Sequence, residues 1–366
     1  MKETPLLSTW RRVCETPAPT FHEEARAELV SEILTHLGFE VVRDEVGNVW
    51  TDLPGGSGPR VALVAHLDSV FAMDVDVSVR EEAPDRWAAP GIGDNAASVA
   101  VLLELARLVH EDPTLARPRV TLAFTVGEEG LGDLRGARHF VQSHGRSIDA
   151  FLAVDGHLGS VVDAGVGSRR FRIDVQGPGG HAWGDYPSPS AVHALGDMIH
   201  AVSRVPLAEA HRSSINVAEV SGGTAINAIA AAAWATVDLR SVSQEALEQL
   251  DAEARKRVRS VARRHEVEVT FEALGDRPAG VCQDDALVSV VRDALVALDV
   301  PVRRGASSTD ANAAMAAGIP ALCLGVYRGG DAHRLSEWAD PTSMADGVTL
   351  IVGVLARLAE PGAPAG

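Results

Sequence analysis

The stretch Val61–Phe71, VALVAHLDSVF, opens as an apolar strand and ends on two polar residues, His66 and Asp68. A short run this apolar reads as a strand buried on both faces, the form strands take in an α/β sheet. Upstream, residues 22–37 carry helical spacing, with Ala25, Leu29, Ile33 and Leu37 stacked on one face, and strands are expected at 39–43 and 48–52. Downstream, the loop AAPGIGDN (88–95) leads into a helix over 96–110 whose apolar face runs through Val99, Leu102, Leu103 and Ala106. A strand at 119–126, a helix near 133–144 and a strand at 150–154 follow. Strands alternating with helices predict an α/β domain, a mixed sheet flanked by helices, whose ligands collect beyond the carboxyl ends of the strands.

The middle of the chain breaks that rhythm. Strands are expected at 169–177, 213–220, 231–240 and 266–272, with helices at 190–203 and 244–264. The order β-α-β-β-α-β is that of a ferredoxin-like α+β unit. From residue 280 the first pattern resumes, with helices at 284–298, near 310–317 and at 341–358 and a strand at 320–326. The expected organisation is a discontinuous catalytic domain, 1–166 and 275–366, interrupted by an inserted lid and dimerisation domain, 167–274. The tail from 360 reads as frayed.

Composition narrows the function. The chain has 366 residues, 46% of them hydrophobic, enough for more than one core. Its formal net charge of −17 disfavours a nucleic-acid partner, whose phosphates it would repel. No apolar run has the length of a membrane span, and MKETPLLSTWRRV lacks the apolar centre of a signal peptide. Cys14, Cys282 and Cys323 are widely spaced and odd in number, which suits reduced thiols of a cytoplasmic protein.

The residues that follow the expected strands are nearly all His, Asp or Glu beside Gly. His66 and Asp68 end one strand, Asp94 precedes a helix in GIGDNAAS, Glu128 and Glu129 end VTLAFTVGEE, Asp155 ends AFLAVDG, and His333 follows ALCLGV. Two imidazoles and three carboxylates make a donor set for a pair of zinc ions, and cobalt and manganese suit the same donors. Two acids are left over. Asp68, two residues past His66, can orient its imidazole through the second ring nitrogen. Glu128 can serve as a general base toward a water shared by two metals.

With those residues in place, the chain resembles the M20 family of co-catalytic zinc metallopeptidases and amidohydrolases, and within it the peptidase T-like branch. The matching pieces are HLD (66–68), GDN (93–95), GEEG (127–130), DG (155–156), GGHAW (179–183), NAI (227–229), DLR (238–240) and AHRLSE (332–337), in family order. The resemblance implies that His66 and Asp155 bind one metal, that Glu129 and His333 bind the other, and that Asp94 bridges them and is followed by a cis peptide. Glu128 then moves the proton from the attacking water to the leaving amine. His181, in the inserted domain, would reach the partner subunit's site and hold the oxyanion. Asn227 and Arg240 would face the substrate, Arg240 pairing with a carboxylate. One departure is Ser98, where the family motif often has Gly.

Each residue also has a plainer reading. Asp68 and the Glu128–Glu129 pair could be solvated strand ends, His181 a turn histidine, Asn227 a turn cap and Arg240 a surface ion pair. Asp310, in GASSTDANAA, is either a helix cap or a wall of the substrate pocket. His157 is the one rival ligand, and burial is the simpler reading for Trp183 and Trp338. The expectation is a homodimeric, two-metal exopeptidase acting on small peptides. The alternatives are an N-acyl amino acid deacylase or carboxypeptidase-type amidohydrolase, and a catalytically silent scaffold.

Overall fold

A computed structural model describes residues 4–360, so the tail from 361 lies outside the described residues. The chain divides into two compact units, one running to Gly165 and resuming at Val281, the other spanning Val166–Gly280.

The first unit is built on a mixed sheet. From one edge its strands run Val42–Arg43, Val49–Asp52, Arg119–Thr125, Arg60–His66, Ala150–Leu158, Ala321–Gly325 and Ser160–Gly165, with Arg303–Ser307 also paired to the last. The central neighbours are parallel, Val61 facing Val120 on one side and Ala150 on the other. Val49–Asp52 pairs antiparallel with Arg119–Thr125, and Ser160–Gly165 pairs antiparallel with Ala321–Gly325 but parallel with Arg303–Ser307. Alternate residues of Arg60–His66 serve different cores. Val61, Leu63 and Ala65 join a cluster with Trp10, Leu102, Val291 and Ile351, while Ala62 and Val64 join one with Phe140, Phe151 and Met315. Burial on both faces is why the strand reads as one apolar run.

Two local readings are corrected. The helix Glu24–His36 buries Arg26, Ala27, Val30 and Leu34, while Leu29, Ile33 and Leu37 are only partly buried. The face turns because the Arg26 guanidinium finds carbonyl acceptors at Leu67 (2.7 Å) and Thr16 (2.8 Å), which makes a buried arginine tolerable there. A helix at Pro5–Cys14 went unread although its signals are present: Thr4 caps the amide of Leu7, and proline opens the first turn.

The second unit is an antiparallel sheet in the order Ser213–Gly222, Ala232–Ser241, Gly167–Gln176, Glu268–Arg277. The helices Ala191–Ser203 and Gln244–His265 pack on it through Leu195, Met198, Leu247 and Val258, opposite Phe171, Ile173 and Val237. Strands one and three are central, as the ferredoxin-like order requires. Its last strand runs through Arg277, past the expected end at 272, which carries residues 275–280 into this unit. Among the described residues no helix is long and apolar enough to cross a membrane.

Candidate metal centre

Three neighbouring strands and two loops of the first unit deliver the polar residues to one place. His66 is the last residue of its strand and sits opposite Thr125, just ahead of the turn that carries Glu128 and Glu129. Asp155 lies within Ala150–Leu158, a strand that continues past the expected end. Asp94 precedes the helix Ala96–Glu111, and its bond to Asn95 is cis. His333 sits at φ +66°, a left-handed conformation that non-glycine residues adopt at a cost and keep only where their surroundings enforce it.

The donor atoms form overlapping clusters: His66, Asp94 and Asp155; Asp94, Glu129 and His333; and His66, Glu128 and Glu129, with all atoms of a cluster within 4.8 Å of one another. Asp94 belongs to the first two. Its Oδ1 lies 3.1 Å from His66 Nε2, and its Oδ2 lies 2.9 Å from His333 Nε2. His333 Nε2 is also 3.0 Å from Glu129 Oε1, and Asp155 Oδ2 is 4.0 Å from His66 Nε2.

These groups fit a pair of cations. His66 Nε2 and Asp94 Oδ1 are both buried and face each other without a hydrogen bond. The other nitrogen of His66 lies 3.1 Å from the main-chain carbonyl of Asp68, an acceptor, so Nδ1 carries the ring proton and Nε2 presents its lone pair. A bare nitrogen against a bare carboxylate oxygen is an arrangement that a shared cation resolves. Charge points the same way. Burial and the nearby charge of Asp94 push Asp155 up to about 7. Such a crowd of carboxylates favours divalent ions over water.

The Asp68 carboxylate stays beside the imidazole, its nearest oxygen 3.5 Å from Nδ1. It also accepts from the amides of Glu128 and Glu129, each at 2.9 Å, and from the Thr20 hydroxyl at 2.9 Å. Asp68 is therefore the anchor of the two-glutamate turn. Asp310 occupies the N-cap position of Ala311–Ala316 but makes no capping bond; its side chain accepts from the Thr125 hydroxyl. His157 lies outside every cluster and packs edge-on against Tyr327 at 5.0 Å. Thr20, Arg26 and Glu337 were given no role by the sequence. Glu337 stands inside AHRLSE, where only the spacing hinted at its function.

His181, Asn227 and Arg240 lie in the second unit. His181 and Asn227 are brought together: Gly180–His181 pairs with Ala228–Ile229, and the amide of Ala182 donates to the Asn227 carbonyl at 2.9 Å. His181 Nδ1 accepts from the amides of Trp183 (3.2 Å) and Gly184 (3.1 Å), so its proton is on Nε2, which is left as a donor. Trp183 is 90% exposed, not buried. Arg240 pairs with Asp238, through Nε at 3.0 Å and Nη2 at 2.9 Å.

The chain thus folds into two units, and the first gathers histidine and carboxylate donors into overlapping clusters. Residues 62–357 match the model of peptidase family M20/M25/M40, and the chain belongs to that family. A "Probable carboxypeptidase" of Ajellomyces capsulatus is 26% identical over 66% of this chain, and the match spans 61% of that relative's length. Among solved structures, a tripeptidase from Staphylococcus aureus superposes with a TM-score of 0.85 at 20% identity, covering 98% of this chain and 99% of the other. Aminopeptidase PepT from Bacillus cereus superposes with 0.81 at 21% identity, covering 97% and 98%. At those identities the likeness shows the fold.

Proposed function

We propose that the protein is a two-metal exopeptidase that releases residues from small peptides. The observation that carries this reading is the sharing of Asp94 between two donor clusters, with Glu128 in the adjoining one. His66, Asp94 and Asp155 would hold one divalent ion, and Asp94, Glu129 and His333 the other. Zinc suits these donors, as do cobalt and manganese. Bound there, the ions supply Lewis-acid polarisation of the scissile carbonyl and acidify a water. Glu128 takes the proton of the attacking water and returns it to the leaving amine. Asp68 fixes the backbone from which Glu128 projects.

The protein works as a cytoplasmic homodimer, a compartment that suits its three free cysteines. His181 of the partner subunit, with its Nε2 proton, donates to the oxyanion, a kind of interaction worth about 3 kcal/mol in the transition state. Asn227 lines the same approach, and Arg240 exchanges Asp238 for a substrate carboxylate. Asp310 backs the site through Thr125. A monomer with full activity by light scattering would remove the partner's role.

A carboxypeptidase or N-acyl amino acid deacylase is the second reading, favoured by the carboxypeptidase name of the curated relative. A silent scaffold has no use for the buried Glu128. The test is amine release by the zinc-loaded protein from a tripeptide, its N-acetylated form and an N-acetyl amino acid, with Glu128→Gln as control. Cleavage of the free tripeptide alone supports an aminopeptidase, and cleavage of the acetylated compounds supports the second reading. No turnover of any would overturn both.

A further inference from the structure

Glu337 is four positions past His333, yet its side chain is 1% exposed and belongs to none of the donor clusters. Its carboxylate is occupied by main-chain amides. Oε1 accepts from Gly93 at 2.8 Å and from Asp94 at 2.9 Å, and Oε2 accepts from Gly91 at 3.0 Å. The loop so gripped is the one that presents Asp94. It has no slack on its other side: a Cβ at Gly93 would lie 2.4 Å from the Tyr327 hydroxyl oxygen, and Gly91 takes φ +74°. The flanks are tied as well, with the Ala89 amide on the Glu337 carbonyl at 3.1 Å and Trp338 paired to Ala88.

The same device appears at the other histidine. Asp68, two residues past His66, accepts from the amides of Glu128 and Glu129. Each histidine-bearing segment thus ends in a buried carboxylate that holds the backbone of a segment bearing carboxylate donors. An amide side chain could not do this at position 337. Three N–H groups converge on two oxygens, and glutamine would turn its own donor toward at least one of them. Burying a carboxylate is costly, and the amides it receives here all belong to one loop.

We propose that Glu337 is a positioning residue that sets the carboxylate of Asp94 between His66 and His333, so that one oxygen reaches each imidazole and hence each cation. This rests on the reading of Asp94 as a bridge between two metal positions. The test is calorimetric titration of the metal-stripped, full-length protein with Co²⁺, for wild type and Glu337→Gln, with the metal-free melting temperature and the Co²⁺ visible spectrum recorded for both. The wild type should take up two equivalents; failure to do so would overturn the underlying reading. Glu337→Gln should bind Co²⁺ roughly 10–100-fold more weakly and show an altered spectrum, as loss of a partner behind a ligand does. If Glu337→Gln lowers the metal-free melting temperature while both affinities and the spectrum stay those of the wild type, the role is merely structural and the proposal fails. If that variant does not fold, hydrogen exchange of the metal-free wild type decides. Slow exchange at Gly91, Gly93 and Asp94 supports a loop held in place before the metal arrives, and exchange at unstructured rates refutes it.

Discussion

Replacing Asp68 with asparagine tests how Glu128, the proposed general base, is held. In the native protein one oxygen of Asp68 serves Glu128, and the other serves Glu129 and Thr20. Asparagine keeps only one acceptor oxygen. Its better orientation leaves that oxygen on Glu129 and Thr20 and turns the NH₂ group toward the amide of Glu128. A buried N–H without an acceptor costs about 1–3 kcal/mol, and the two surviving bonds lose their charge assistance, for a total of roughly 2–4 kcal/mol. For a unit of this size that corresponds to a melting temperature lower by about 5–10 °C. Catalysis should suffer more selectively. The segment released is Glu128's, and a general base contributes about 10²–10⁴-fold, so kcat should fall on the order of 10²-fold with KM little changed. Steady-state kinetics, metal content and differential scanning calorimetry on the same preparation give all three quantities. Thr20→Val is the control: it removes one donor to the same carboxylate, costs about 1 kcal/mol and leaves Glu128 anchored. A wild-type kcat for Asp68→Asn, or a loss matched by lost metal, would refute the anchoring role.

Glu128→Gln keeps the shape of the side chain and removes its basicity, so activity should drop about 10²–10⁴-fold while metal content and melting temperature are retained; full activity would exclude Glu128 as the base. Chelation should lower the melting temperature, because ions at 100 times their dissociation constant stabilise the native state by about 2.7 kcal/mol. An unchanged calorimetric trace would argue against any metal in the fold. Burial pushes the Cys14 thiol up to about 12 and raises that of Cys323, whereas Cys282 is only half-buried. Cys282 should therefore react first with a thiol reagent and the other two only on unfolding, as peptide mapping of the label would show.

The architecture was legible because its signals are local. Val61–His66 is apolar on both faces, and the ferredoxin-like unit announces itself by the order of its elements. The donor residues were legible because they are polar residues set beside apolar runs. What escaped depends on contacts distant in sequence. Nothing local in the sequence marks Arg26 as buried, and only the carbonyls of Thr16 and Leu67 explain its burial. Asp68 was legible only as a neighbour of His66, and its hold on amides some sixty positions on was not. The pairing of Arg240 with Asp238, two residues back on the same strand face, was likewise not legible in the sequence. The short strands Arg80–Ala83 and Arg86–Ala88 carry no apolar alternation and are held by pairing with each other and with Trp338–Ala339.

The placement of the second unit within the chain sets a timetable. A ribosome that has finished Gly280 has already made His66, Asp94, Glu129 and Asp155, but not His333 or the Ala321–Gly325 strand that lies beside Ala150–Leu158. Two of the three donor clusters are then complete in their residues, while the third lacks its imidazole. Closing the sheet must wait for a strand made after the whole insertion, a long-range pairing of the kind that slows folding. The insertion can meanwhile fold from its own contiguous residues. The cluster that needs His333 is thereby tied to completion of the chain, so a truncated product lacks it.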